Sequence, residues 1–148
     1  MNEHELSIFS TGHQFLEAPR WQDGSLWASD FFTKTVKRFA ADGSYQTVVE
    51  VEGAPSGLGF LPDGSMLVVS QADKCVLRVA PDGTQSVHAD FSQFAGGIGN
   101  DMLVTQAGHA YASVTSVYTS VGDDFKQKTI QKMITRRIAR PEEANPDG

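Results

Sequence analysis

One cysteine, Cys75, is all the thiol chemistry available to this chain of 148 residues. No intrachain disulfide can form. The expectation is a reducing compartment in which Cys75, followed by Val76 and Leu77, is a buried inert thiol and not a nucleophile. The four histidines, His4, His13, His88 and His109, have no metal-ligand spacing among them. Ser29, Ser56 and Ser113 lack the context of a nucleophile elbow, so serine hydrolysis has no support. No apolar run approaches the roughly 20 residues that a membrane-spanning helix needs. Met1-Asn2-Glu3-His4-Glu5 is acidic and polar where a secretory leader would be basic and then apolar. A cytoplasmic protein with no membrane partner is expected. Positive charge is scarce too. Net charge is −6, and six of the twelve basic residues (Lys126, Lys128, Lys132, Arg136, Arg137 and Arg140) crowd into one late segment. The body before them is acidic, which argues against a nucleic-acid partner.

What the chain has is repetition. Asp23-Gly24-Ser25 recurs as Asp63-Gly64-Ser65, Val36 as Val76, Arg38 as Arg78 and Asp42-Gly43 as Asp82-Gly83, a constant offset of forty (63 − 23 = 82 − 42 = 40). Such a period, in short apolar runs separated by Asp-Gly turns, is the signature of stacked sheets such as propeller blades. Each unit reads as a four-strand meander. In the first, residues 17–21, 26–30, 34–39 and 45–49 supply the strands. In the second, Ser56-Gly57-Leu58-Gly59-Phe60 is the innermost strand, and 66–69, 75–79 and 85–88 follow. The glycines of that inner strand permit close backbone approach at a crowded place. A third unit begins at Asn100-Asp101-Met102-Leu103-Val104 and continues through 107–112.

The fold class expected is therefore all-β: residues 1–113 form an incomplete β-propeller with blades near 15–52, 54–92 and 100–113. Residues 114–148 form a tail of uncertain structure. Within it Ile130, Met133, Ile134 and Ile138 fall on one face of a helix, so the basic tail is expected to be irregular or helical. Asp23, Asp42, Asp63 and Asp82 recur with Gly and read as turn residues, and Asp30 and Asp73 as loop caps.

Four motifs go further: Glu17-Ala18-Pro19-Arg20-Trp21, Asp-Gly-x-Leu-Trp at 23–27, Pro55-Ser56-Gly57-Leu58, and Asn100-Asp101-Met102 followed by Gly108 and Tyr111. In order and spacing they resemble the gluconolactonase, regucalcin and luciferin-regenerating-enzyme family of six-bladed propellers. The resemblance covers about two and a half blades from the N-terminal part of that fold. It implies one divalent cation (Ca²⁺, Mg²⁺ or Zn²⁺) with Glu17 as ligand, and Asn100 in contact with substrate or metal-bound water. Two further ligands have no counterpart here, so the ligand set is incomplete. The implied activity is metal-dependent hydrolysis of a small, sugar-type lactone, impaired in this short chain. A hard cation takes oxygen ligands and polarises a carbonyl, which is the chemistry a cyclic ester requires.

The chain also departs from the pattern. Gly96-Gly97-Ile98-Gly99 stands where the family often has a basic residue, and Val114-Thr115-Ser116-Val117 where relatives show Asn-Phe-Gly-Phe. Without the resemblance, Glu17 is a solvated loop carboxylate and Asn100 a turn former. Two alternatives stay open: a non-enzymatic propeller-type binding module, and a truncated gene product without function, its reading frame broken near Ser113. Unpaired blade edges would favour self-association.

Overall fold

The computed structural model describes residues 6–94, 97–116 and 130–134. Eleven strands follow one another: β1 (Leu16–Gln22), β2 (Ser25–Asp30), β3 (Thr35–Phe39), β4 (Tyr45–Glu50), β5 (Pro55–Phe60), β6 (Met66–Ser70), β7 (Cys75–Val79), β8 (Gln85–Asp90), β9 (Ile98–Val104), β10 (Ala110–Ser116) and β11 (Ile130–Ile134). Pairing is antiparallel between sequence neighbours throughout, which gives three meanders: β1-β2-β3-β4, β5-β6-β7-β8 and β9-β10-β11. No described helix is long and apolar enough to cross a membrane.

The Asp-Gly turns behave as their chemistry dictates. Gly43, Gly64 and Gly83 have φ of 82°, 83° and 87°, where a Cβ is unfavourable. Asp42, Asp63 and Asp82 each accept the amide N–H two residues ahead, from Ser44, Ser65 and Thr84, at 2.9 Å. These aspartates are architecture, as their repetition indicates.

Two apolar layers hold the sheets face to face. Val36, Val49 and Val51 of the first unit pack on Leu58, Met66, Val68 and Val79 of the second. Leu67, Val69, Val76 and Phe91 pack on Met102, Ala110 and Val114 of the third. Successive residues of β6 thus point into different layers, and all five are buried. The middle sheet is covered on both faces, and each such Val or Leu contributes about 1.5–3 kcal/mol. Cys75 lies in this region, buried and free, and burial pushes its thiol pKa up, with Asp73 and Asp90 adding to the shift.

The outer face of the first sheet is covered by the segment ahead of β1. Phe9 and His13 stack on Phe39 at 6.2 and 5.2 Å, and His13 meets Tyr45 edge-on at 4.6 Å. Ser10 Oγ donates to the Gly43 carbonyl at 2.7 Å.

The helical expectation at Ile130, Met133 and Ile134 is corrected: these residues form β11, antiparallel to β10 with Val114 opposite Lys132 and Ser116 opposite Ile130. β-Branched isoleucines suit a strand, and the open edge of β10 offers hydrogen-bond partners that a lone helix would not have. Ile138 and the rest of the basic segment lie outside the described residues.

Candidate functional site

Each innermost strand, β1, β5 and β9, carries an extra residue relative to its partner. Pairing slips between Glu17 and Arg20 in β1, and between Pro55 and Leu58 in β5. In β9 it slips where Gly99 pairs with Val114 but Met102 with Ala112. Bulges of this kind re-aim side chains. Just beyond the pairs Leu16↔Asp30, Pro55↔Ser70 and Gly99↔Val114 stand Glu17, Ser56 and Asn100. These three residues occupy the same position of three successive sheets.

They also interact. Ser56 is almost wholly buried, and its Oγ donates to Asn100 Oδ1 at 3.4 Å. Its carbonyl accepts from Ser29 Oγ at 2.6 Å. Glu17 Oε1 is shielded from solvent with no hydrogen-bond partner among the described residues. Burial raises the Glu17 pKa, the Ser56 hydroxyl draws it back down, and the charge of Asp101 raises it again. The backbones approach closely here: a Cβ on Gly57 would lie 2.7 Å from the Asp101 carbonyl carbon and 2.8 Å from Asn100 O. Arg20 closes the cluster, donating through NH2 to Asp101 Oδ1 at 2.8 Å and through Nε to the Leu58 carbonyl at 2.9 Å.

Glu17 and Asn100, the residues singled out from the sequence, are thus both brought to Ser56. Ser56, Arg20 and Asp101 were not expected to take part. Their signal was present: Arg20 sits inside the Glu-Ala-Pro-Arg-Trp motif and Asp101 beside Asn100.

A second polar chain resembles a catalytic relay and is not one. Ser10 Oγ lies 2.9 Å from His13 Nε2, His13 Nδ1 lies 3.2 Å from Lys37 Nζ, and Lys37 Nζ lies 2.6 Å from Asp30 Oδ2. The lysine donates to Nδ1, so the ring hydrogen is on Nε2 and points at Ser10, whose own hydrogen goes to Gly43 O. The serine is therefore not activated. Asp30 is also no simple loop cap: it is fully buried and accepts the amides of Phe15 and Gln14 at 3.0 and 3.3 Å. Burial would raise its pKa. The Lys37 hydrogen bond, the two amides and the lysine charge outweigh that and hold it at about 2.

No group of three or more His, Cys, Asp or Glu side chains able to hold a metal occurs among the described residues. The donors at the inner strands are nevertheless of the right kind for a hard cation: one buried carboxylate oxygen without a partner, an amide oxygen and a hydroxyl. The donor chemistry fits, with an incomplete shell.

Stacked meanders whose inner strands are all bulged at the same position define part of a β-propeller. The chain belongs to the SMP-30/gluconolactonase/LRE-like family, which it matches over residues 15–134. Among solved structures it resembles the XC5397 gluconolactonase of Xanthomonas campestris, with a TM-score of 0.59 and 18% identity over 70% of this chain and 36% of that one. It also resembles a protein described as a putative gluconolactonase, with a TM-score of 0.51 and 24% identity over 71% of this chain and 44% of that one. Virginiamycin B lyase from Staphylococcus aureus shares the fold at a TM-score of 0.55 and 9% identity, over 82% and 42% of the two chains. No curated protein matches in sequence. The chain spans less than half the length of these structures.

Proposed function

We propose that this chain supplies part of the centre of a divalent-cation-dependent lactonase acting on a small, sugar-type lactone. The observation that carries the reading is the buried, unpartnered Oε1 of Glu17 on the same ring position as Ser56 and Asn100. Membership of a gluconolactonase-like family supports it. Glu17 would hold the cation, with Asn100 beside it in contact with substrate or metal-bound water. A bound cation supplies polarisation of the ester carbonyl and a lowered pKa for coordinated water.

The protein's own groups have separate tasks. The Glu17 carboxylate stays poorly solvated, and Ser56 orients the Asn100 amide. Glycine at position 57 keeps β5 against β9 so that those groups share one site. In the overall reaction water adds to the lactone carbonyl carbon, the acyl C–O bond of the ring breaks, and the ring oxygen leaves as a hydroxyl. The product is an open-chain hydroxy acid that releases one proton at neutral pH.

That proton gives the test. Hydrolysis of a sugar δ-lactone is followed in a pH-stat with Ca²⁺, Mg²⁺ or Zn²⁺ added to the metal-stripped chain, beside calorimetric titration of each cation. Cation binding abolished by Glu17→Gln is the expected result. Binding that is unchanged in Glu17→Gln, or absent from the unsubstituted chain, overturns the reading.

A further inference from the structure

The inner strands β1, β5 and β9 belong to three different sheets, so no ladder of backbone hydrogen bonds fixes their heights relative to one another. One guanidinium bonds β1 to both of the others. We propose that Arg20 is the positioning residue of the axial site, setting where Glu17, Ser56 and Asn100 stand along the axis. The proposal rests on the reading of those residues as a site.

Arg20 reaches both neighbouring inner strands at once. Nε donates to Leu58 O of β5 at 2.9 Å, NH2 donates to Asp101 Oδ1 at 2.8 Å and to Met102 O of β9, and NH1 folds back to Pro19 O at 2.9 Å. These acceptors adjoin the bulges. Leu58 follows Ser56-Gly57 and Asp101 follows Asn100, so a shift of the guanidinium passes directly to two site residues. The charge matters as well. Arg20 is the cation paired with Asp101, the residue next to Asn100. A planar fork can satisfy acceptors on two strands together, whereas an ammonium is a point charge on a flexible stem.

The repeat does not require an arginine here. Arg20 pairs with Trp27, and the corresponding residue of the second sheet, paired with Leu67, is Gly59. Position 20 is thus free of the fold's internal symmetry, and its contacts all converge beside the cluster.

The first arm of the test needs no metal. Nuclear Overhauser effects between the Gly57 α-protons and the backbone of Asn100, Asp101 and Met102, which press on Gly57 in the unsubstituted chain, are compared in the full chain and in Arg20→Lys. Positioning predicts that they weaken in Arg20→Lys, because an ammonium cannot hold acceptors on both strands with one planar fork. A purely electrostatic role predicts no change with lysine, and unchanged effects overturn the proposal. The second arm is calorimetric titration with Ca²⁺, in which Arg20→Lys is expected to bind about 10–100-fold more weakly. Equal affinity overturns the proposal.

Arg20→Gln covers the case in which the lysine variant does not fold. Removing a nearby positive charge should by itself strengthen cation binding, whereas lost positioning weakens it, so a tighter Ca²⁺ complex also counts against the clamp. Should the full chain bind no Ca²⁺ while the contacts between Gly57 and β9 respond to Arg20→Lys, the cation reading fails and the positioning role stands.

Discussion

The Lys37 ammonium meets the Asp30 carboxylate at 2.6 Å with side-chain exposures of 5% and 0%, yet one repeat later the same two positions hold Leu77 and Ser70 (37 + 40 = 77; 30 + 40 = 70). The difference follows from what each face meets. Leu77 packs into the layer between the first and second sheets. The corresponding face of the first sheet meets the preceding segment, whose Gln14 and Phe15 amides and His13 ring need polar partners. An ion pair replaces an apolar contact where chain covers the sheet.

Breaking that pair on one side should therefore be costlier than copying the second repeat. Lys37→Leu leaves a buried carboxylate without its cation, and Asp30→Ser leaves the ammonium facing a histidine; each is expected to destabilise by about 3–5 kcal/mol. The double variant Asp30→Ser/Lys37→Leu should recover the part due to an unpaired charge and keep the part due to the Gln14 and Phe15 amides and the His13 ring, which lose their partners. Urea unfolding of the four proteins gives the coupling directly, and additive single losses would contradict a shared buried pair.

Acid should release the N-terminal segment in two stages. Burial and the neighbouring Lys37 lower the His13 pKa against the pull of Asp30, so the fold holds this ring neutral. A depressed histidine contributes stability above its ordinary 6.5 and loses it as pH falls through the folded value. Asp30, lowered from 3.8 to about 2, keeps its contribution until pH falls through that range. Protection of the Gln14 and Phe15 amides, corrected for the intrinsic pH dependence of exchange, should fall first with His13 and then with Asp30. His13→Gln should remove only the earlier stage; persistence of both would assign the earlier stage elsewhere.

The sheets were legible because turns carry strong local chemistry: Asp-Gly at a fixed spacing left the meander little freedom. The site was legible only in part, for a geometric reason. A period of forty, set by the turns, aligns Glu17 with Gly57, whereas strand pairing aligns it with Ser56, one residue earlier. The turn after the inner strand absorbs that residue: Gln22 faces Ser25 across two residues, whereas the Leu61 amide bonds the Ser65 carbonyl across three. Arg20 was hidden differently: its partners are three backbone carbonyls, two of them on other sheets, and a carboxylate 81 residues away. The strand at Ile130–Ile134 was missed because isoleucine spacing alone fits a helix as well as a strand.

Two glycines separate backbone strain from close contact. Gly24 has φ of 69° with nothing within 4 Å of a built Cβ, so Gly24→Ala should lose only about 1 kcal/mol from its left-handed backbone. At Gly57 an added methyl meets the Asn100 and Asp101 backbone, so Gly57→Ala should destabilise by about 1–3 kcal/mol through overpacking. It should also weaken cation binding, because β9 must move away from β5. Denaturant midpoints and calorimetry on both variants would show whether binding follows contact at the inner strands or stability in general.

Glu17→Gln should produce opposite effects in the two states of the site. The Glu17 pKa is raised above 4.5, so the folded state holds that proton more tightly than the unfolded chain does. Its contribution is complete below the unfolded value and is lost as pH rises through the folded one; at neutral pH the ionised carboxylate opposes folding. Without cation, Glu17→Gln should therefore unfold at a higher temperature than the unsubstituted chain at pH 7, and the difference should vanish near pH 4. With Ca²⁺ at a hundred times its dissociation constant, the unsubstituted chain gains about 2.7 kcal/mol by mass action and the variant gains nothing. The order of melting temperatures then reverses. A carboxylate kept for its charge at the expense of the fold is expected to behave in this way, whereas a structural carboxylate would lose stability on substitution under both conditions.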